Sequence, residues 1–271
     1  MTSTETGPSP PAVVPITGIP DPRPPWVDAL LPRPAIEVRR GLSFDNDPPA
    51  EHSSVLALTA PSGRFVDVRF TLPSAPPSPF ASPLFNGYAT AGLSTAGVGA
   101  PGRDGCPGYE CAAHVRWRHD IESSCGFGED GADMLLLANG DVMEVGVMQM
   151  GGKARLFKEY WTKPSPDVET LPCVVAEGKG EGGRRGMVMR VGDYCQGIVQ
   201  GEGEFWAERW EVLVRDGEEG RGWVRNEMSN TVGVEEAKVG LPCLWVIEEG
   251  RRLGDSFEIG GLAWEVNEVI A

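Results

Sequence analysis

Four cysteine and histidine side chains lie within fourteen residues and form a group of potential metal ligands: Cys106, Cys111, His114 and His119. Zinc is commonly bound by such side chains. The spacing is wrong for a zinc site, because Cys111 and His114 are too close to belong to the two halves of a finger. His114 and His119 are also separated by an odd number of residues and would point to opposite faces of a strand. We therefore expect no metal here.

A glycine-rich segment, 178–183, matches the pattern G-x-G-x-x-G literally. In a dinucleotide-binding protein this pattern opens a helix whose N-terminus holds the pyrophosphate. Here it is followed by Met187–Val191, which has the composition of a strand. A P-loop and a G-x-S-x-G nucleophile elbow are also missing from the sequence. The segment is therefore predicted to be a hairpin loop, and we expect no cofactor.

Three polar side chains in the first half of the chain are placed by strand alternation on otherwise apolar faces. His119 lies two residues after Trp117 and shares its face, and Arg69 likewise shares a face with Asp67. Glu159 lies on one face between Phe157 and Trp161. An imidazole there could serve as a general acid or hydrogen-bond donor, or as a hydrogen-bonded core histidine. Arg69 and Glu159 either point into a barrel or are solvated at its rim.

A similar pattern occurs in the second half, where Trp206, Glu208 and Trp210 share one face of a strand. A carboxylate between two indoles would be desolvated and could act as a base. The alternative is an interior ion pair with an arginine, for example Arg190.

The elements that must position these residues read as short strands throughout. Apolar, β-branched and aromatic runs alternate with Gly, Pro and Asp, and Asn139-Gly140 predicts a two-residue type I′ hairpin. No amphipathic stretch of three helical turns occurs. The predicted strands are 54–59, 64–72, 87–95, 114–121, 133–138, 142–149 and 154–161, then 171–176, 186–191, 197–200, 205–214, 222–227, 241–248 and 257–268.

These two strand sets predict an all-β protein with two consecutive antiparallel β-barrels, because antiparallel sheets close or pack to hide their edges. Ten of the 24 prolines fall in residues 1–34, which predicts a disordered proline-rich arm with Leu30 and Leu31 attached to the body. The predicted domains are the arm 1–34, a first barrel 35–164 and a second barrel 165–271.

Composition removes several classes of function. The chain has 271 residues, 41% of them hydrophobic, and a net charge of −15, which disfavours nucleic acid and anionic lipid as partners. It has neither a secretory signal nor a run of about 20 apolar residues, so we expect no membrane partner. We expect a cytoplasmic location, with the nucleus as an alternative, and six reduced cysteines.

Several segments, taken together, resemble the fungal Hri-one family. They are Val55–Arg69, Arg116–Ser124, Lys158–Trp161, Met189–Asp193 with Gln196-Gly197, and Gly261–Val266. The similarity runs in order from Ile36 to Ala271. It implies two successive calycin-like barrels in one intracellular chain, and it brings no set of catalytic residues, since the family's yeast member has no assigned activity.

One departure from the family pattern bears on function. The strand beginning at Gly87 carries small side chains, and residues 93–113 form a Gly- and Ala-rich insertion. Smaller side chains would widen a cavity, which suits binding of an apolar, polycyclic or polyene-like small molecule. By analogy with orphan barrels in fungal secondary metabolism, the chain is predicted to be a cofactor-free cyclase or isomerase of the hetero-Diels–Alderase type.

In that prediction the catalytic donors are His119, Arg69 and Glu159. The ligand-binding side chains are predicted to be Tyr88, Trp117, Tyr160, Trp161, Trp206, Glu208 and Trp210. Such chemistry needs a shaped cavity and one or two donors that polarise a carbonyl. Two alternatives stand beside it: a non-catalytic adaptor for a kinase or other protein, and a carrier of a hydrophobic ligand. A homodimer is left open.

Overall fold

The computed structural model describes residues 30–31, 33–75, 84–98, 112–124, 128–164, 171–214, 221–226 and 241–270. Most of the arm 1–34 lies outside these residues, as do Cys106, Cys111 and Cys125. Leu30 is described and is fully buried against the barrel side chains Val55, Val115 and Trp161, as predicted for the end of the arm. No helix in the described part of the chain is long and apolar enough to cross a membrane.

The first half forms a closed antiparallel barrel in which each strand pairs with the next and β8 returns to β1. Alternating side chains separate its interior from its outer surface. The strands are β1 Ala35–Phe44, β2 Ser53–Thr59, β3 Arg64–Thr71, β4 Gly87–Val98, β5 Ala112–Glu122, β6 Glu129–Leu136, β7 Val142–Met150 and β8 Lys153–Thr162.

Strand β1 is missing from the strands predicted above, and its sequence explains why. Arg39, Arg40 and Gly41 interrupt its apolar alternation, and its pairing with β8 shifts register between Arg39 and Gly41. This bulge keeps Arg39 inside the barrel at 6% exposure.

The hairpin predicted at Asn139-Gly140 joins β6 and β7, but its turn is not type I′. Gly140 has φ 87°, whereas Asn139 has no positive φ, as type I′ requires. Gly140 N–H donates to Leu137 O and Leu137 N–H donates to Asp141 O, which describes a type I turn followed by a glycine bulge. The Asn139 side chain accepts from Asp141 N–H instead of shaping a mirror-image turn.

The second half forms a seven-stranded antiparallel sheet, curled into a half-barrel, with the strand order β13-β12-β11-β10-β9-β15-β14. The all-β class and two β bodies are confirmed, and the second body is this half-barrel. The strands are β9 Cys173–Gly180, β10 Arg185–Val191, β11 Tyr194–Gly201, β12 Glu204–Val214, β13 Arg221–Arg225, β14 Ser256–Ile259 and β15 Leu262–Ile270, with a 3₁₀ turn at Glu181–Gly183.

Two strand predictions in this half are wrong. Residues 241–248 contain the helix α1 (Cys243–Ile247), whose buried side chains Cys243, Val246 and Ile247 have helical spacing. Residues 257–268 are two strands, β14 and β15, because Gly260 and Gly261 both have positive φ and form a tight turn between them.

The two bodies share a hydrophobic core, which packs the outer face of β2, β3 and β4 against the second sheet. Two polar side chains join them inside it. Gln196 Nε2 donates to Leu56 O at 2.8 Å and to Val66 O at 2.7 Å, and Arg209 donates to Val68 O at 2.6 Å. The boundary between domains at 164 and 165 stays a prediction.

Candidate functional site: a charged cavity in the closed barrel

The barrel contains a cavity of about 750 Å³ that reaches the surface at the exposed rim residue Asp47. Its wall combines apolar side chains with an unusual number of charges. Of the described residues that line it, six are carboxylic acids and three are arginines: Asp47, Glu51, Glu129, Asp130, Glu144 and Glu159, and Arg39, Arg69 and Arg116.

A buried ion-pair network crosses the wall from β1 to β8 and β3. Arg39 donates to Glu159 Oε1 at 2.6 Å and forks onto both carboxylate oxygens of Glu51 at 2.8 and 3.0 Å. Arg69 donates to the same Glu159 oxygen at 3.0 Å and holds Asp67 Oδ2 at 2.7 Å. The side chains of Arg39 and Glu159 are only 4% and 7% exposed, so their charges are little screened by water.

Both arginines use one oxygen of Glu159, and its other oxygen, Oε2, is buried without a hydrogen-bond partner. Burial raises the pKa of Glu159, but the charges and hydrogen bonds of Arg39 and Arg69 outweigh it and leave that pKa below its usual value. Glu159 is therefore ionised, with one oxygen unused.

A second carboxyl, Glu144, lies directly opposite Glu159 in the β7–β8 register. Facing side chains at such positions have Cβ atoms about 4.5–5.5 Å apart. Burial and the charge of Glu159 raise the pKa of Glu144 well above its usual value, although Trp161 Nε1–H donates to Glu144 Oε2 at 2.9 Å. The wall thus holds two facing carboxyls whose pKa values are shifted in opposite directions.

Aromatic side chains complete the wall. Tyr88, Trp117 and Phe157 line the cavity, and the guanidinium of Arg69 lies 5.5 Å from the Tyr88 ring centre. Tyr88 O–H donates to Glu122 Oε1 at 3.3 Å, and burial together with the Glu122 charge raises the pKa of the phenol. The phenol stays neutral.

The structure brings together Arg69, Glu159, Tyr88 and Trp117 of the residues predicted for the first barrel, and all four line the cavity. Trp161 lies in the apolar cluster that contains Leu30 and Val55. Tyr160 alternates with Glu159 and Trp161, which places it on the opposite face of β8.

His119 is not among the side chains that line the cavity. Its side chain is 2% exposed, packs edge-on against Phe65, and lies 3.4 Å from Asp130 and 3.7 Å from Glu122. Burial lowers the pKa of His119, but its interactions with Asp130 and Glu122 outweigh this and raise it to about 9. His119 is therefore charged at neutral pH, and it contacts Asp130 of the cavity wall without lining the cavity itself.

Simple alternation would place Ile121 on the same face as His119, but β5 carries a bulge between them. Ala91 pairs with Ile121 and Gly92 with His119, so Asp120 is an extra residue and alternation reverses after it. Ile121 consequently packs in the core between the two bodies.

In the second body Glu208 does lie between two indoles. It accepts from Trp206 Nε1–H at 3.2 Å and from Trp210 Nε1–H at 3.0 Å, and pairs with Arg225 at 3.2 Å. The arginine partner is thus Arg225 and not Arg190, which donates to Ile247 O. Trp206 belongs to an apolar cluster that includes side chains of α1. The predicted ligand-binding residues Trp206, Glu208 and Trp210 are not among the side chains that line the barrel cavity.

Cys106 and Cys111 of the cysteine–histidine group lie outside the described residues. His114 is buried, lines the cavity, and its Nδ1 lies 2.8 Å from Asp133 Oδ1 on the neighbouring strand. The glycine-rich segment ends β9 and turns into β10, and this hairpin is as predicted.

Of the nine acidic and arginine side chains that line the cavity, sequence reasoning predicted only Arg69 and Glu159; those it missed include Arg39, Glu51 and Glu144. Strand β1 was not predicted, so the position of Arg39 was not considered. For Glu144 a signal was present, since it lies two residues after the apolar Val142 on a predicted strand and therefore shares its face.

A closed antiparallel barrel with an internal cavity and a few charged groups in its wall is the architecture of proteins that bind small molecules inside a barrel. The chain belongs to the Protein HRI1 family, whose sequence model matches residues 35–268. This match confirms the resemblance noted in the sequence.

A solved structure has the same fold: the crystal structure of the uncharacterized protein YLR301w from Saccharomyces cerevisiae. The two chains are 19% identical and superpose with a TM-score of 0.62, over 88% of this chain and 99% of the yeast chain. No curated protein matches the sequence.

Proposed function

We propose that the protein binds a small organic molecule inside the closed barrel, with a polar group of that molecule placed against the Arg39–Glu159–Arg69 network. The observation that carries the proposal is the combination of an open cavity with a buried ion-pair network, Arg39–Glu159–Arg69, in its wall. A mostly apolar cavity with a few fixed polar groups is typical of sites that bind and orient small molecules.

The size and composition of the cavity support this function. A volume of about 750 Å³ lies within the range of roughly 300–1,000 Å³ typical of small-molecule sites. Trp117 and Phe157 supply flat apolar surface, and the charged network supplies orientation. The ligand that fits is therefore amphipathic, with an apolar or aromatic body and one polar end, in place of the wholly apolar molecule expected from the sequence.

Catalysis is a finer proposal, in which the protein is a cofactor-free cyclase or isomerase. One observation favours it: Glu144 and Glu159 face each other with pKa values shifted in opposite directions. A protonated acid beside an ionised base is the arrangement that general acid–base chemistry requires. Arg69 would polarise a carbonyl oxygen, as predicted, and Glu144 takes the role of proton donor that His119 was expected to fill.

Native mass spectrometry of the protein purified from its natural source, followed by organic extraction, tests binding. Thr71→Trp, at a half-buried position of the cavity wall on the same face of β3 as Arg69, is expected to block it, whereas Leu253→Trp, on a surface residue that is 71% exposed, serves as the matched control. A stoichiometric molecule present in wild type and Leu253→Trp but absent from Thr71→Trp supports the proposal. An empty wild-type protein that captures a protein partner instead supports the adaptor function.

A further inference from the structure

We infer that the ligand of the barrel is an uncharged carbonyl compound, whose carbonyl oxygen accepts an N–H of Arg69. This inference rests on the proposed function and names its ligand class. Two observations carry it. The ionised side chains of the cavity wall already have counter-ions, and the guanidinium of Arg69 has N–H groups that its ion pairs do not use.

The charges of the cavity wall are compensated within the protein. Five of the six carboxylic acids that line the cavity pair with an arginine or with the charged His119, at N–O distances between 2.6 and 3.6 Å. The sixth acid, Glu144, faces Glu159, and burial together with that charge raises its pKa, which disfavours its ionisation. The pairs are Asp47–Arg155, Asp130–His119, Glu129–Arg116, Glu51–Arg39, and Glu159 with both Arg39 and Arg69.

This pairing decides the charge of the ligand. To bind a charged group, an arginine or a carboxylate of the described wall would have to leave its present partner. That partner would stay in the wall as a poorly compensated charge, which is strongly unfavourable where the pair is buried. A ligand charge that found no partner would be unfavourable as well. An uncharged molecule avoids both penalties.

Arg69 is the side chain that can hold a polar atom of such a molecule. Its Nε and Nη2 donate to Asp67 Oδ2 at 2.9 and 2.7 Å, and its Nη1 donates to Glu159 Oε1 at 3.0 Å. Nη1 and Nη2 each carry a second N–H, which these bonds do not use. The side chain of Arg69 is 23% exposed in the cavity wall, compared with 4% for Arg39. It is therefore Arg69 that presents such N–H groups to the cavity.

The polar group that suits Arg69 is an acceptor. The remaining oxygens of its carboxylate partners, Asp67 Oδ1 and Glu159 Oε2, are fully buried and do not reach the cavity. A carbonyl oxygen only accepts hydrogen bonds, whereas a hydroxyl group or an amine brings a donor that these oxygens cannot receive. The rings of Tyr88 and Trp161, with centres 5.5 and 5.9 Å from the Arg69 guanidinium, pack against it and help to fix its orientation.

Four probes with the same ring test the inference: 3-acetylindole, 3-ethylindole, indole-3-acetate and tryptamine. At neutral pH the first two are uncharged, indole-3-acetate is an anion and tryptamine is a cation. Isothermal titration of the full-length protein is expected to show 3-acetylindole binding at least about tenfold more tightly than each of the others, as expected for a hydrogen bond to a charged group. Apolar burial alone would favour 3-ethylindole over 3-acetylindole, so a preference for the ketone reports the hydrogen bond.

Arg69→Met tests the assignment of the donor, and it is expected to bind 3-acetylindole and 3-ethylindole with similar affinities. The matched control is Arg118→Met. Arg118 also pairs with a carboxylate two residues away, Asp120, but its side chain is 57% exposed and is not among those that line the cavity. This control should keep the full preference of wild type. A folded Arg69→Met protein that keeps the preference overturns the assignment.

A measurement on wild type keeps the inference testable if Arg69→Met does not fold. The carbonyl stretching frequency of bound 3-acetylindole, labelled with ¹³C at the carbonyl, is measured by difference infrared spectroscopy. A charge-assisted hydrogen bond lowers this frequency, so we expect a value at or below that of the probe in water. A value as high as that of the probe in hexane would show that the carbonyl accepts no hydrogen bond, and would overturn the inference.

The outcomes separate this inference from the proposed function. If another probe binds as tightly as 3-acetylindole or more tightly, the uncharged carbonyl compound is overturned and small-molecule binding stands. If no probe binds, the molecule extracted from the native protein decides: an uncharged carbonyl compound supports the inference, and a charged molecule or one without a carbonyl group overturns it. If no probe binds and nothing is extracted, both proposals fail.

Discussion

Removing Arg39 should destabilise the protein far more than removing a comparable exposed arginine. In Arg39→Met, Glu159 loses its 2.6 Å hydrogen bond and Glu51 loses its bidentate partner, while both carboxylates stay in the wall. Breaking a buried ion pair by removing one partner is destabilising by about 3–5 kcal/mol. Arg69 still contacts Glu159, so we expect the lower end, a loss of about 3 kcal/mol in the free energy of unfolding.

The matched control is Arg155→Met in the same barrel. Arg155 also forms a 2.8 Å ion pair, with Asp45, but these side chains are 32% and 48% exposed. Water and salt screen exposed pairs, so Arg155→Met should unfold at nearly the same urea concentration as wild type. The two substitutions are chemically identical, so the difference between them measures burial of the pair.

The assay is urea unfolding followed by tryptophan fluorescence, with a double-mutant cycle of Arg39→Met and Glu159→Met. Arg39→Met leaves the Glu159 carboxylate without its 2.6 Å partner, and the double variant removes that carboxylate, whereas the loss at Glu51 is the same in both. The double variant should therefore be less destabilised than the sum of the singles by about 2 kcal/mol. Equal losses in Arg39→Met and Arg155→Met, or an additive cycle, would refute the reasoning.

The remaining predictions concern pH, the junction between the bodies and the cysteines. The raised pKa of Glu144 contributes stability below its usual value of 4.5 that is lost as pH rises through the folded-state pKa. Glu144→Gln should therefore gain stability relative to wild type in urea unfolding as pH rises above 4.5, and a difference that does not change with pH would contradict the shift. NMR titration should give His119 a pKa of about 9. Its resonance is identified among those of the three histidines as the one that is missing in His119→Gln. A midpoint near 6.5 would contradict the contacts with Asp130 and Glu122. Gln196→Leu removes the two hydrogen bonds that this side chain donates to the barrel and should lose about 1–3 kcal/mol in the same urea assay, whereas a loss below about 0.5 kcal/mol would exclude a structural role for the junction. Burial raises the pKa of Cys173 to about 12, so native alkylation mapped by mass spectrometry should leave Cys173 unmodified until urea is added.

The fold was predictable where local pattern and tertiary environment agree. The barrel strands β2 to β8 alternate or carry turn residues at their ends, and the predicted strand cores match them. Failures occurred where tertiary context overrides pattern. In α1, three apolar residues with helical spacing look like a short strand, and in β1 two arginines and a glycine hide a strand whose polar residues face inward.

The site was predictable only one residue at a time. Alternation placed Arg69 and Glu159 inside the barrel, yet Arg39 is 120 residues from Glu159 and no local signal joins them. The bulge in β5 likewise cannot be predicted from composition, although it reverses the alternation of side chains after His119 and turns Ile121 toward the core between the two bodies. Barrel closure and register, which are long-range properties, create the network.

The network is also poorly explained by stability alone. Taking charges such as Arg39 and Glu159 out of water is unfavourable, and replacing buried ion pairs with apolar side chains of similar volume is often neutral or stabilising. Leu30, Val55 and Trp161 fill the adjoining part of the barrel with apolar side chains, so the fold accommodates such packing a short distance away. The charges are concentrated where the cavity is. That distribution agrees with the proposed binding site, since a few fixed polar groups in a largely apolar cavity orient a ligand.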